Sequence, residues 1–131
     1  MITYEKYANT YDLPDGFFEG WPNPPSKEKH RELLEKSYLS LVALDGTAIV
    51  GFVNVISDGV LSCYIPLLEV LPTYRNQGIG KELMKRTLRE LSEFYMIDLS
   101  CDEDLRPFYE SMGMKKTLGM MHRNYDKQSG K

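Results

Sequence analysis

Leu68-Glu69-Val70-Leu71-Pro72-Thr73-Tyr74-Arg75-Asn76-Gln77-Gly78-Ile79-Gly80-Lys81, continuing as ELMKR to Arg86, decides how this chain folds. An apolar run from Val60 to Leu71 has strand character and halts at Pro72. A polar turn then carries Arg75, Asn76 and Gln77 into Gly78-Ile79-Gly80. Ile79, Leu83, Leu88, Leu91 and Phe94 recur at helical spacing and share one face, while Lys81, Glu82, Lys85, Arg86, Arg89 and Glu90 occupy the others. The reading is strand, glycine turn, amphipathic helix.

Such a junction invites an anion, because the first amides of a helix lack carbonyl partners and carry partial positive charge. Gly78 and Gly80 remove side chains that would keep a phosphate from the backbone, and Arg75 and Lys81 add cationic charge beside it. Two familiar phosphate loops are absent. Gly80-Lys81 is followed by Glu82 with no glycine five positions before Gly80, which breaks GxxxxGK[ST], and no third glycine completes GxGxxG after Gly80. An RxxGxG turn after a strand ending in Val-Leu-Pro remains.

Arg75-Asn76-Gln77-Gly78-Ile79-Gly80 after Leu68-Glu69-Val70-Leu71-Pro72 resembles the acetyl-CoA signature of the GNAT N-acetyltransferase superfamily. A second segment, Pro107-Phe108-Tyr109-Glu110-Ser111-Met112-Gly113-Met114, is similar to the FYxxxGF segment that ends many of its domains. The resemblance implies an α/β (α+β) fold with a central mixed, mostly antiparallel sheet of about six to seven strands and helices on both faces. It implies acetyl-CoA as acetyl donor, with pyrophosphate on the amides of Asn76, Gln77, Gly78, Ile79, Gly80 and Lys81 and Arg75 nearby. The pantetheine arm is then expected along the backbone of Leu68, Val70 and Leu71, as an added strand. Asp102, Leu105 and Pro107 depart from the family pattern, which leaves the contacts of the last helix open.

Bulk properties set the outer limits. A chain of 131 residues reads as a single domain, 1–131, with residues 126–131 as a disordered polar tail. Lys and Arg number 16 against 19 Asp and Glu, a net charge of −3, so nucleic acid is not expected as a partner. No apolar run reaches the roughly 18 residues of a membrane span, and Met1 to Lys6 lack the layout of a secretory leader. Cys63 and Cys101 lie in strand-like settings without metal-ligand spacing. The expectation is a cytoplasmic chain with buried reduced thiols, no metal and no membrane partner, as monomer or homodimer.

Along the chain, residues 2–8 read as a first strand. Asn9 to Pro25 is rich in turn formers yet carries Phe17, Phe18 and Trp21, which read as an aromatic plug, as a wall of the acceptor site, or as both. Ser26 caps a helix from Lys27 to Ser37, in which His30, Leu33 and Leu34 pack. Tyr38–Leu44, Ala48–Ser57 and Val60–Leu71 form a meander through Asp45-Gly46-Thr47 and Asp58-Gly59, with both sheet faces covered. Met96–Cys101 is a short strand parallel to Val60–Leu71, which places ligands near Val70 and Cys101. Asp102–Met112 reads as a helix capped by Asp102, and Lys115–Tyr125 as a last strand.

The chemistry implied is transfer of an acetyl group from acetyl-CoA to a primary amine, on a small molecule or a peptide, by direct attack through a tetrahedral intermediate. The Val70 amide is placed to hold the oxyanion. An amine of pKa about 10.4 must lose a proton before it attacks, and Glu69 is the only carboxylate on the strand that reaches the thioester. Asp102 or water are the other candidate bases. Tyr109 matches the tyrosine that protonates the departing thiolate in many GNAT enzymes. Phe18, Trp21 and Glu69 are the candidate acceptor contacts, and Asp12, Asp15, Glu19 and Glu69 hint at a cationic acceptor. One rival is a non-catalytic acetyl-CoA or CoA-binding regulatory module, which needs neither Tyr109 nor a base. A generic phosphate-binding domain is another.

Overall fold

The computed structural model describes all 131 residues. One mixed sheet runs in the order β1 (Ile2–Lys6), β2 (Leu39–Asp45), β3 (Ala48–Ser57), β4 (Ser62–Val70) and β5 (Met96–Asp98). Neighbours are antiparallel except β4 and β5, which are parallel. Gly46 and Gly59 adopt φ of 65° and 78° in the hairpin turns, as Asp-Gly requires.

Alternation along β2 divides the core in two. Val42 and Leu44 face one side with Ile49, Phe52 and Leu13, beneath Leu34 of α1 (Lys27–Lys36). Leu41 and Ala43 face the other with Val50, Val53 and Val55, beneath Ile79, Leu83 and Met84 of α2 (Ile79–Glu90). Both faces are therefore covered, as the apolar run of β3 predicts, and residues 49–55 are buried without a break. The Ser26 side chain accepts from the Lys29 N–H and starts α1 where expected.

α2 sits close to the sheet because Gly51 leaves it room. A Cβ there would stand 3.2 Å from the Glu69 carbonyl oxygen, 3.2 Å from Leu83 Cδ1 and 3.3 Å from Ile79 Cγ2.

The pairing of β4 with β5 is brief. It covers only Ser62–Tyr64 against Met96–Asp98, and the register of β4 on β3 slips between the Asn54–Leu67 and Ile56–Tyr64 pairs. That slip is a bulge around Pro66, which has no N–H to give to a ladder. Past Tyr64 the parallel strands part, and the last residues of β4 lose their neighbour on that side.

Three differences from the sequence expectation stand out. The sheet has five strands rather than six or seven, because 115–124 forms no strand and pairs with nothing. The Asp102–Met112 helix is a short 3₁₀ turn, Glu103–Leu105, followed by α3, Arg106–Glu110. Pro107 fits at the start of α3, where its missing N–H costs nothing. Finally, Tyr125–Lys127 forms a 3₁₀ turn, and Gln128 Oε1 accepts from the Asn23 N–H at 2.8 Å, where a disordered tail is expected from residue 126.

Candidate active site

The glycine turn lies where the sequence places it. A 3₁₀ turn at Pro72–Tyr74 follows β4, and Gly78 caps α2 at φ 83°, which only glycine adopts without strain. Asn76 shares the left-handed region at φ 64°, as asparagine tolerates. Asn76, Gln77, Gly78 and Lys81 are exposed, and Gly80 is half-buried. The first intrahelical bond at this end is Glu82 N–H to the Gly78 carbonyl, so the amides of Ile79, Gly80 and Lys81 have no helical partner. The Ile79 side chain is core, and only its amide is available. A Cβ on Gly80 would meet Val70 Cγ2 at 3.7 Å and Phe108 Cζ at 3.8 Å, ordinary contact distances. The protein itself therefore does not demand a glycine at 80, as it does at 51.

Backbone parity sorts the β4 residues. Leu71 donates its N–H to the Val50 carbonyl at 2.9 Å and accepts from the Tyr74 N–H at 2.9 Å. Both Leu71 groups are thus committed within the fold, and its expected part in holding the pantetheine arm has no free polar atom behind it. Alternation then turns the N–H and C=O of Val70 and Leu68 away from β3, toward the side where β5 has parted. Arg75 Nε donates to the Val70 carbonyl at 3.2 Å, which leaves the Val70 N–H as the group facing the opening.

Glu69 points to the opposite face and is half-buried. Its Oε1 accepts the Phe18 N–H at 2.7 Å. Burial raises its pKa above the ordinary 4.5, opposed by the Phe18 hydrogen bond and Arg75 and assisted by Glu19. It has no salt-bridge partner, whereas Glu19 is paired with Arg75 at 2.9 Å and Asp15 with Lys27 at 3.2 Å. Asp12 accepts from Thr47 Oγ1 at 2.9 Å. Of the acidic group expected around the acceptor, only Glu69 is both half-buried and unmatched by a cation.

Phe18 is part of the core. It is 5 % exposed and lies against Trp21, His30 and Phe52 with ring centroids 4.9, 4.9 and 6.2 Å away. Its backbone, at φ 61°, delivers the N–H to Glu69. Trp21 is half-buried over Phe18 and keeps a partly open surface. His30 belongs to the same cluster, with Nε2 buried and unpartnered, and burial followed by the Arg31 charge lowers its pKa to about 4.

On the α2 side, Tyr109 of α3 packs against the same core cluster as Val70 and Leu68, beside Phe108 with centroids 4.9 Å apart. Burial, then the charge of Cys101, pushes its phenol up to about 12. Cys101 is exposed, a correction to the buried thiol expected, while Cys63 is buried and both are free. Asp102 precedes the 3₁₀ turn, but its side chain makes no capping bond.

Sequence reasoning missed the Phe18–Glu69 contact and the bulge at Pro66. The second had a signal, since proline inside a strand marks an edge or a bulge. A separate groove of about 690 Å³, lined by Tyr4, Lys6, Arg86, Arg89 and Glu90 among others, includes no residue of the glycine turn.

Comparison with known proteins adds the family. Residues 10–124 match the acetyltransferase (GNAT) domain family. A crystal structure of a putative acetyltransferase from Deinococcus radiodurans is 43 % identical, covering 98 % of this chain and 92 % of that one, with a TM-score of 0.89. A GNAT-family acetyltransferase of Streptococcus pneumoniae is 33 % identical over 95 % of this chain and 98 % of that one, with a TM-score of 0.74. GCN5-related N-acetyltransferase 3 of Arabidopsis thaliana chloroplasts is 40 % identical over 67 residues, 50 % of this chain but only 28 % of the relative's length. With the glycine turn, the parted strands and these likenesses in agreement, the chain belongs to the GNAT acetyltransferase family.

Proposed function

We propose that the chain is an N-acetyltransferase that moves an acetyl group from acetyl-CoA to a primary amine by direct transfer. The observation that carries this reading is Glu69, a half-buried carboxylate of raised pKa with no cation partner, at the end of the strand whose free backbone edge adjoins the helix amides. Acetyl-CoA supplies an activated acyl group on sulfur. The amides of Ile79, Gly80 and Lys81 suit its pyrophosphate, and the outward groups of Leu68 and Val70 suit its amide-bearing arm.

Within that reading each residue has one task. Glu69 takes the proton that the amine loses as nitrogen attacks the acyl carbon, and the Phe18 N–H fixes the carboxylate's aim. The Val70 N–H faces the opening and stabilises the charge that develops on the acyl oxygen. The carbon–sulfur bond then breaks, and the thiolate takes a proton from Tyr109 or from water through it. A phenol raised to about 12 holds its proton at neutral pH and so is always in the donor form. Trp21 offers a partly open ring to the acceptor's carbon skeleton and packs on Phe18, whose N–H meets the Glu69 that receives the acceptor's cationic end.

The soil-metagenome aminoglycoside acetyltransferase meta-AAC0020, in complex with sisomicin, is 22 % identical with a TM-score of 0.65 and so supports the fold alone. The acceptor class proposed here, a cationic amine, rests on the unmatched charge of Glu69. The test is CoA thiol release from acetyl-CoA across a panel of polyamines, amino sugars and peptide amines. Turnover with one or more of them is expected. CoA binding without turnover on any amine would turn the reading to a regulatory module.

A further inference from the structure

Residues 115–124, KKTLGMMHRN, are anchored at both ends and supported nowhere between. At one end the Met114 N–H donates to the Tyr109 carbonyl at 3.3 Å and Met114 packs on the core. At the other, Gln128 holds the Asn23 N–H at 2.8 Å. Between them, residues 115–123 neither donate nor accept a backbone hydrogen bond, and Leu118, Met120 and Met121 are 91 %, 93 % and 69 % exposed. A tether of this length needs only polar, flexible residues. This one spends three large apolar side chains on water, which disordered linkers avoid.

The same chain leaves a matching vacancy. β5 pairs with β4 on one side and with nothing on the other, and exposed apolar groups flank it: Tyr95 is 83 % exposed, Met96 40 % and Leu61 51 % at its start, and Tyr64 40 % opposite its end. An open strand edge with apolar neighbours is a template for another strand. The chain's own arm does not use it, since the arm runs from Tyr109 to Asn23 and makes no bond to β5.

We propose that residues 115–124 form a β-strand against a second copy of this chain, laid along the free edge of the partner's β5, so that a twofold dimer closes two such pairs. The sheet has two free outer edges, on β1 and β5, and only β5 carries several exposed large apolar neighbours, so each chain offers one unpaired arm and one such edge, which is the condition for a closed, self-complementary interface. Leu118, Met120 and Met121 then cover apolar surface of the kind exposed around Met96 and Tyr64. Because Met114, at the root of the arm, is bonded to the Tyr109 carbonyl, pairing also steadies the residue proposed above to protonate the thiolate.

The test combines light scattering after size exclusion with hydrogen exchange on the full chain at about 100 µM. A mass near twice the 15.1 kDa chain is expected, with amides of 116–123 and of Met96–Asp98 protected together and losing that protection on dilution. The double variant Leu118→Asp, Met120→Asp is expected to be a folded monomer with a fast-exchanging arm, since both side chains are open to water in the single chain. A monomeric wild type, a dimer whose arm or β5 exchanges as fast in the dimer as in the monomer, or a double variant that remains dimeric would each overturn the proposal.

Discussion

Phe18 and Glu69 are joined by one hydrogen bond, from a main-chain N–H to a carboxylate at 2.7 Å, across 51 positions of sequence. Phe18 holds the left-handed φ of 61° that delivers this N–H while its ring is locked among Trp21, His30 and Phe52. A bulky residue in that region is strained, by about 1 kcal/mol or more. The strain is sustained by burial of the ring, so the aromatic plug and the orientation of the Glu69 carboxylate are one device.

Glu69→Gln keeps an oxygen for the Phe18 N–H but cannot take a proton. We expect kcat for the best amine to fall by about 100-fold at neutral pH, with the Kd for CoA unchanged. In the wild type, rate is lost as pH falls through the Glu69 pKa, and the burial that raises it puts that limb above 4.5. Thiol-release kinetics from pH 5 to 9 check both points. An undiminished kcat removes Glu69 as base.

Tyr109→Phe is expected to lower kcat about tenfold or more and to leave CoA affinity unchanged. With its phenol near 12, Tyr109 contributes no descending limb to the wild-type profile below pH 10. Stopped-flow turnover and calorimetric titration separate the two roles. A loss of CoA binding with turnover preserved at saturation marks Tyr109 as structural.

The glycines at 78 and 80 should part company on substitution. Gly78 sits at φ 83°, so Gly78→Ala costs about 1 kcal/mol of folding stability. Gly80 has a helical backbone and room for a methyl at 3.7 Å, so Gly80→Ala folds with equal or slightly higher stability yet binds CoA at least about tenfold more weakly. Thermal melts and calorimetry read these independently. Undiminished CoA affinity in Gly80→Ala would mean that the cradle lies elsewhere.

His30 makes stability depend on pH. Its folded pKa of about 4 lies below the ordinary 6.5, so between these values the unfolded chain binds the proton and the folded one does not. The stabilisation is therefore complete above pH 6.5 and is lost as pH falls toward 4, by roughly 2–3 kcal/mol. Urea midpoints across pH 4 to 7 measure the slope, and His30→Leu should flatten it. A slope unchanged in that variant assigns it to carboxylates instead.

The sequence was most legible where a feature is local. Asp45-Gly46 and Asp58-Gly59 announce hairpins because positive φ is a property of one residue, and Arg75 to Gly80 announce a helix start because its amides are set by the chain beside them. Ser26 and the α1 boundary followed from capping in the same way. Distant partners were illegible. Nothing around Phe18 reveals that its N–H meets Glu69, nor that Arg75 is divided between Glu19 and the Val70 carbonyl. Lys115 to Tyr125 reads as a last strand, but a strand exists only beside another, and within the single chain this segment pairs with none. Pro107 shortened the last helix for a reason the sequence did state, since proline is at home in a first turn and not in a second.

Gly51 lies outside every group proposed for a chemical task, yet it sets the spacing between two of them. Its missing methyl lets α2 settle against β3, and α2 carries the unpartnered amides of Ile79 to Lys81 while β4, bonded to the same strand, carries Val70 and Glu69. One added carbon would wedge the helix outward and lengthen the span between the free amides of Ile79 to Lys81 and the end of β4 at Val70. For the donor proposed above, reach is thus dictated by a residue that touches none of it.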